Sequence, residues 1–226
     1  MSFVQERSPT GSARWTHFRW GFLPFILFAA PLYGQQNDAL LKRVDDRYNH
    51  LASLHAHYVE RYVGMGITRS ESGTLLLKKP GRMRWSYDSP AGKVFVLDGK
   101  FAWFYTPGDP QAQRMPARQM DDLRTPLRFL LGHTQLKKEL DNIKIAPQVT
   151  GFRIAGVPHG MQNRVKELAL EVFPDGTITA MTIEEVDGAT TSFAFTGIEM
   201  NVPTRDADFT FVPPVGVAVV EAPKPI

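Results

Sequence analysis

The 226-residue chain contains no cysteine. That excludes a disulfide scaffold, thiolate metal sites, a cysteine nucleophile and a lipid-modified N-terminal cysteine. The motifs of common catalytic sites are missing as well. There is no G-x-S-x-G elbow, no H-E-x-x-H and no G-x-x-x-x-G-K-[ST]. Glu184-Glu185 and Asp121-Asp122 are adjacent pairs, and adjacent strand residues face opposite ways, which makes them poor acid/base partners. His55 and His57 share a strand face but have no third metal ligand at a suitable spacing, so no metal and no cofactor is expected. Neither an internal repeat nor a low-complexity tract occurs. Nothing here argues for an enzyme.

A long apolar run is also lacking. "GFLPFILFAAPLYG", Gly21 to Gly34, is short and broken by Pro24 and Pro31, and it follows Arg14 and Arg19. This pattern fits a cleaved export signal over residues 1–34 better than a membrane span or a retained anchor. Cleavage near Ala30 or Gly34 leaves a single domain, 35–226. Residues 1–34 hold three of the 26 basic residues and one of the 23 acidic ones, so the remainder carries 23 and 22, a net charge of +1. A domain this close to neutral, and exported, gives no case for a nucleic-acid partner.

Fifteen Phe, six Tyr, 18 Gly and 17 Pro point to short strands with many turns. Residues 37–52 are the exception. Leu40, Leu41, Val44, Tyr48 and Leu51 recur at 3/4 spacing, which predicts an amphipathic helix, with Asn37 or Asp38 as its cap. Six strands are expected between His55 and Pro116, too closely spaced for crossover helices, so the sheet is antiparallel. "TPLRFLLG" predicts a short helix from Thr125 to Gly132, and "TQLKKEL" another. Strands resume at about 142–148, 151–157, 164–173, 177–186 and 191–200. Asp98-Gly99 and Asp175-Gly176 mark hairpin turns. The expectation is a mainly β fold: one large curved antiparallel sheet, an unclosed barrel of about 10–11 strands, with short helices over one face.

Strand parity separates the faces. Met83, Trp85 and Tyr87 share one side of their strand, with Arg82 and Arg84 on the other, solvated side. Leu75, Leu77 and Lys79 share a side of the preceding strand, and Phe101, Trp103 and Tyr105 of a later one. Aromatics and basic residues therefore lie apart, unlike a single-stranded nucleic-acid surface. So much aromatic surface exceeds what a compact core beside two short helices needs, which points to an apolar cavity.

"LLLKKPGRMRWSYDSPAGKVFVLDGKFAWFYTPG", then "QMDDLRTPLRFLLG" and a closing "FTFVPPVGV", resemble the periplasmic outer-membrane lipoprotein carriers, the LolA-like family. "LASLHAHYVERYV" is similar to that family's junction of helix and first strand. The resemblance implies an unclosed antiparallel barrel under lid helices, whose inner face holds the acyl chains of a lipoprotein. The cargo would pass from an inner-membrane ABC transporter to an outer-membrane acceptor, through the periplasm, on a monomeric shuttle. It also implies a cavity lined by Leu75, Leu77, Met83, Trp85, Tyr87, Phe101 and Trp103. Lid helices would be anchored through Leu40, Val44, Leu51, Leu127 and Leu130. Where the family has an Arg that holds the lid by bonding helix carbonyls, this sequence has Lys79, a point-like donor on a flexible stem. Met83 stands in place of a family aromatic and Glu60 in place of a Gln. A lipoprotein sensor of the same fold, or a carrier of phospholipid or glycolipid, is the alternative.

Overall fold

The computed structural model describes residues 30–120 and 135–222. Helix α1 (Ala30–Asn49) leads into strands β1 (Ser53–Gly64), β2 (Ile67–Lys78), β3 (Arg82–Ser89), β4 (Val94–Asp98), β5 (Phe101–Tyr105) and β6 (Gln111–Pro116). After a one-turn helix α2 (Leu136–Glu139) come β7 (Leu140–Gln148), β8 (Gly151–Pro158), β9 (Val165–Val172), β10 (Ile178–Glu185), β11 (Thr190–Met200) and β12 (Ala218–Glu221). These twelve strands form one sheet in the order β12-β6-β5-β4-β3-β2-β1-β11-β10-β9-β8-β7. Its two edges, β7 and β12, do not pair, so the barrel is unclosed.

Every neighbouring pair is antiparallel except β12 with β6. The reason lies in the connections. Successive strands follow each other across turns, several built on glycines with positive φ such as Gly99 (96°) and Gly176 (87°), a conformation that costs glycine nothing. Among the antiparallel pairs the one that is not sequential is β1 against β11, which joins the two meanders through nine paired positions from Leu54↔Met200 to Val63↔Thr190. The tail yields a strand because Ala218–Glu221 lies parallel to Gln111–Arg114 and covers that edge.

Helix α1 starts seven residues earlier than periodicity indicated and ends at Asn49. Leu40, Leu41, Val44 and Tyr48 form its buried stripe, and Leu51 is buried just beyond its end. They join one core with the sheet's inner row, including Leu54, Leu75, Leu77, Met83, Ile178 and Phe195. The helix is tied down along its length. Arg43 donates to the Pro174 carbonyl (2.6 Å) and Arg47 pairs with Asp175 (3.3 Å), both in the β9–β10 turn. Asp45 accepts the Leu136 N–H at the start of α2 (2.9 Å). Of the expected export segment 1–34, the described residues include only the last five, which are helical. The helix expected around Leu127 and Leu130 lies outside the described residues.

The outer face is not simply solvated. Asp206 bonds Lys78 (2.7 Å) and Arg82 (3.2 Å), and Arg84 donates to the Thr210 carbonyl (3.2 Å). The basic residues of β2 and β3 thus strap the 3-10 turn Asp206–Phe209 against the sheet, with Phe209 buried at 1% exposure.

Candidate functional site

The inner face has two regions. Under α1 the described residues pack closely: Leu75 borders a gap of about 10 Å³ with Tyr48, Leu54, Ala56 and Ile178, while Leu77 and Met83 are buried. Further along the same face a cavity of about 360 Å³ opens, at the small end of the range for ligand pockets. Its apolar wall is made by Trp85, Tyr87, Phe95, Phe104, Ile183 and Phe193. These rings are mutually supported. Trp85 meets Tyr58 edge-on at 4.5 Å and Phe193 at 5.5 Å, and Phe95 meets Phe104 at 4.8 Å. The Trp85 indole N–H points to the Met83 sulfur (2.8 Å). Burial, with Tyr87 beside it, pushes the Tyr58 phenol far above its ordinary range.

Phe101 and Trp103, expected to line the cavity, stand on the opposite face. The register explains it. Met83 pairs with Leu97 and Trp85 with Phe95, so odd-numbered residues of β3 and β4 face inward together. The Asp98-Gly99 hairpin then pairs Leu97 with Ala102 and Phe95 with Phe104, which turns the even-numbered residues of β5 inward. Parity shows which side chains share a face and not which face is the inner one. Outside, the Arg114 guanidinium lies 4.6 Å from the Phe101 ring and 5.4 Å from that of Trp103, and Phe211 packs on Trp103 at 5.7 Å. The Trp103 indole donates to Asp98 (2.9 Å).

Four residues that line the cavity, Phe95, Phe104, Ile183 and Phe193, are not singled out by strand parity. Phe95 and Ile183 sit in strands that offer apolar residues on both sides. Phe104 has the parity opposite to Trp103, and only the register makes that side the inner one. Phe193 alternates with Phe195 in "SFAF", a signal that could have found it.

Lys79 follows the inner row of Leu75 and Leu77, as parity requires, and its ammonium donates to the Tyr48 carbonyl at the end of α1. Burial holds the amine below the ordinary lysine range. The Tyr48 hydroxyl accepts the Ile178 N–H at 3.0 Å.

The polar end of the cavity belongs to Glu60, Arg69, Glu71 and Lys93. Glu60 and Glu71 face each other across β1 and β2. The Glu71 carboxylate is buried, with Lys93 at 2.6 Å and Arg69 at 3.3 Å. Among the described residues no three His, Asp or Glu side chains are grouped to hold a metal ion, and no helix is long and apolar enough to cross a membrane.

The class of protein is thus an unclosed antiparallel β-barrel with an aromatic hollow on its inner face beside a tethered helix. Residues 50–212 match the family model described as outer membrane lipoprotein carrier protein LolA, and the chain belongs to that family, one of carriers rather than enzymes. An outer-membrane lipoprotein carrier protein of Sodalis glossinidius is 29% identical over 195 residues, covering 85% of this chain and 91% of that one. Its counterpart in Nitrosomonas europaea is 29% identical over 157 residues, covering 68% and 74%. The crystal structure of an uncharacterized conserved protein from Thermus thermophilus shares the fold, with a TM-score of 0.54, 12% identity, and coverage of 83% of this chain and all of that one.

Proposed function

We propose that this protein is a periplasmic carrier that shields the acyl chains of lipoproteins in the inner-face cavity. It takes them from an inner-membrane ABC transporter and passes them to an outer-membrane acceptor. The observation that carries this reading is the aromatic hollow around Trp85, which opens on the inner face beside a helix held by Lys79.

The energetics suit the task. Each methylene removed from water contributes roughly 0.8 kcal/mol, so a chain of about 16 carbons gains on the order of 10 kcal/mol before the cost of opening the protein. The 360 Å³ hollow is the entry point. Extending it toward Leu75, Leu77 and Met83 requires α1 to move off the inner face. The Lys79–Tyr48 bond, worth about 1 kcal/mol net, is small enough for an entering chain to break. Lys79 is therefore the latch, and the cavity grows from Trp85 and Tyr87 toward the leucines as it opens.

Mass spectrometry of the protein purified from the periplasm tests this. A bound triacylated lipoprotein is the expected result. Free phospholipid or glycolipid in its place would make it a carrier of another lipid. Failure of a fluorescent fatty-acyl probe to bind would overturn the reading.

A further inference from the structure

The inner rows of β1 and β2 change character along their length. Leu54, Ala56 and Tyr58 run into Glu60, and Leu77, Leu75 and Gly73 run into Glu71, directly opposite. Glu71 has 5% of its surface exposed. A buried carboxylate is costly, and well-packed apolar residues usually serve stability as well or better than an ion pair. Here the pair is kept inside the wall of an apolar cavity. Lys93 spans from Glu71 (2.6 Å) to the face of Tyr87 (4.3 Å to the ring centre), and so joins the charged end to the aromatic wall. Arg69 meets Glu71 through Nε at 3.3 Å with its side chain 55% exposed, and a guanidinium carries five N–H donors, more than one carboxylate takes up. With Glu60 the four charges sum to zero.

We propose that this balanced cluster is a selectivity filter. It admits acyl chains joined through uncharged esters or amides and rejects those ending in a carboxylate or phosphate. An ester or amide carbonyl accepts from the spare donors of Arg69 and Lys93 without disturbing Glu71. An anionic head must either displace Glu71 from both cations or lie against Glu60 and Glu71, and like charges in a partly desolvated site repel strongly. Glu71 sets the discrimination by occupying the cations. This rests on the acyl-binding reading above and names the chemistry of the head it accepts.

The test measures binding of two fluorescent probes of equal chain length, a glycerol ester and a free fatty acid, at pH 7.5. The wild-type protein is expected to bind the ester about tenfold more tightly. Glu71→Gln leaves two cations against one carboxylate, and the preference is expected to collapse or invert through tighter fatty-acid binding. Lys93→Met leaves two carboxylates against one cation, and the preference is expected to widen. Opposite shifts in a ratio cannot come from a shared loss of folding. If both probes bind and the ratio is the same in all three proteins, the filter is overturned and acyl binding stands. If neither probe binds the wild-type protein, both fall together.

Discussion

Lys79 and Tyr48 meet where α1 ends, and Tyr48 is held from both sides. Its carbonyl accepts from the Lys79 ammonium, and its hydroxyl accepts the Ile178 N–H at 3.0 Å. Lys79 follows β2 and Ile178 opens β10, two strands separated by β1 and β11 in the sheet. One residue thus pins the helix to both meanders. Lys79→Leu removes one pin and is expected to cost about 1 kcal/mol locally, or roughly fivefold in the opening of α1. Hydrogen exchange at the amides of the last turn should accelerate by that factor, with faster uptake of an acyl probe. Lys79→Arg, which keeps the donor, should restore slow exchange. Unchanged exchange in Lys79→Leu would remove the latch from the mechanism.

The other pin has a pH signature. Burial pushes the Tyr48 hydroxyl up to about 12, even though the Ile178 N–H and the nearby Arg47 charge pull it down. A raised folded value means the contribution is complete below the unfolded value of about 10 and is lost as pH climbs through about 12. Stability should therefore fall between these limits in the wild-type protein and less so in Tyr48→Phe. At neutral pH Tyr48→Phe leaves a buried N–H without its acceptor, at a cost of about 1–3 kcal/mol. Urea unfolding of both proteins from neutral pH up to about 11 reads both effects.

Gly73 stands where the β2–β3 ladder shifts register, between the pairs Ser72↔Ser89 and Gly73↔Tyr87. A Cβ there would lie 1.9 Å from the Ser86 carbonyl oxygen. Backbone cannot yield as a side chain does, so Gly73→Ala must part the strands beside Trp85. The expected loss is about 1–3 kcal/mol, together with weaker probe binding. A wild-type melting temperature in this variant would show that the strands separate freely.

Asp98 gathers three donors in the β4–β5 turn: the Phe101 N–H (2.7 Å), the Trp103 indole (2.9 Å) and the Lys100 N–H (2.7 Å). Burial alone would raise the carboxyl, but these bonds outweigh it and hold it below the ordinary aspartate range. Its contribution is present above the unfolded value of about 3.9 and is lost as pH falls through the lower folded value. Asp98→Ala should lower stability at pH 7 and flatten the acid limb of the stability profile. An acid limb identical to wild type would contradict this.

The fold was legible because its signals are local. Turn dipeptides, short apolar strands and one amphipathic stripe each name their own element, and among the described residues no helix stands between consecutive strands of β1–β6 or of β7–β11. Facing pairs were legible within a strand for the same reason: Met83 and Trp85 follow from parity. What stayed hidden depends on how one strand meets the next. The hairpin at Asp98-Gly99 reverses the parity of the inner face, and that sent Phe101 and Trp103 outward. Arg82 and Arg84 read as solvated because their partners, Asp206 and Thr210, lie more than 120 residues away. Lys79 was legible as an anomaly, a charge in a row of leucines, but only the end of α1 supplies its acceptor.

The two tryptophans on opposite faces provide the sharpest check of the cavity. Trp85 is 2% exposed and lines the hollow, so an acyl chain entering there replaces whatever borders the indole. Trp103 lies across the sheet against Phe211 and Asp98, where a ligand on the inner face cannot reach it. Trp15 and Trp20 belong to the N-terminal segment, so single replacements compared with the parent isolate each signal. Adding an acyl lipid to Trp103→Phe should shift the emission as in the wild-type protein. In Trp85→Phe the shift should disappear while binding, followed by a probe on the lipid, weakens by an order of magnitude or less, because the Phe still offers an apolar face to the cavity. A response that survives in Trp85→Phe and vanishes in Trp103→Phe would place the lipid on the outer face and overturn the assignment of the cavity.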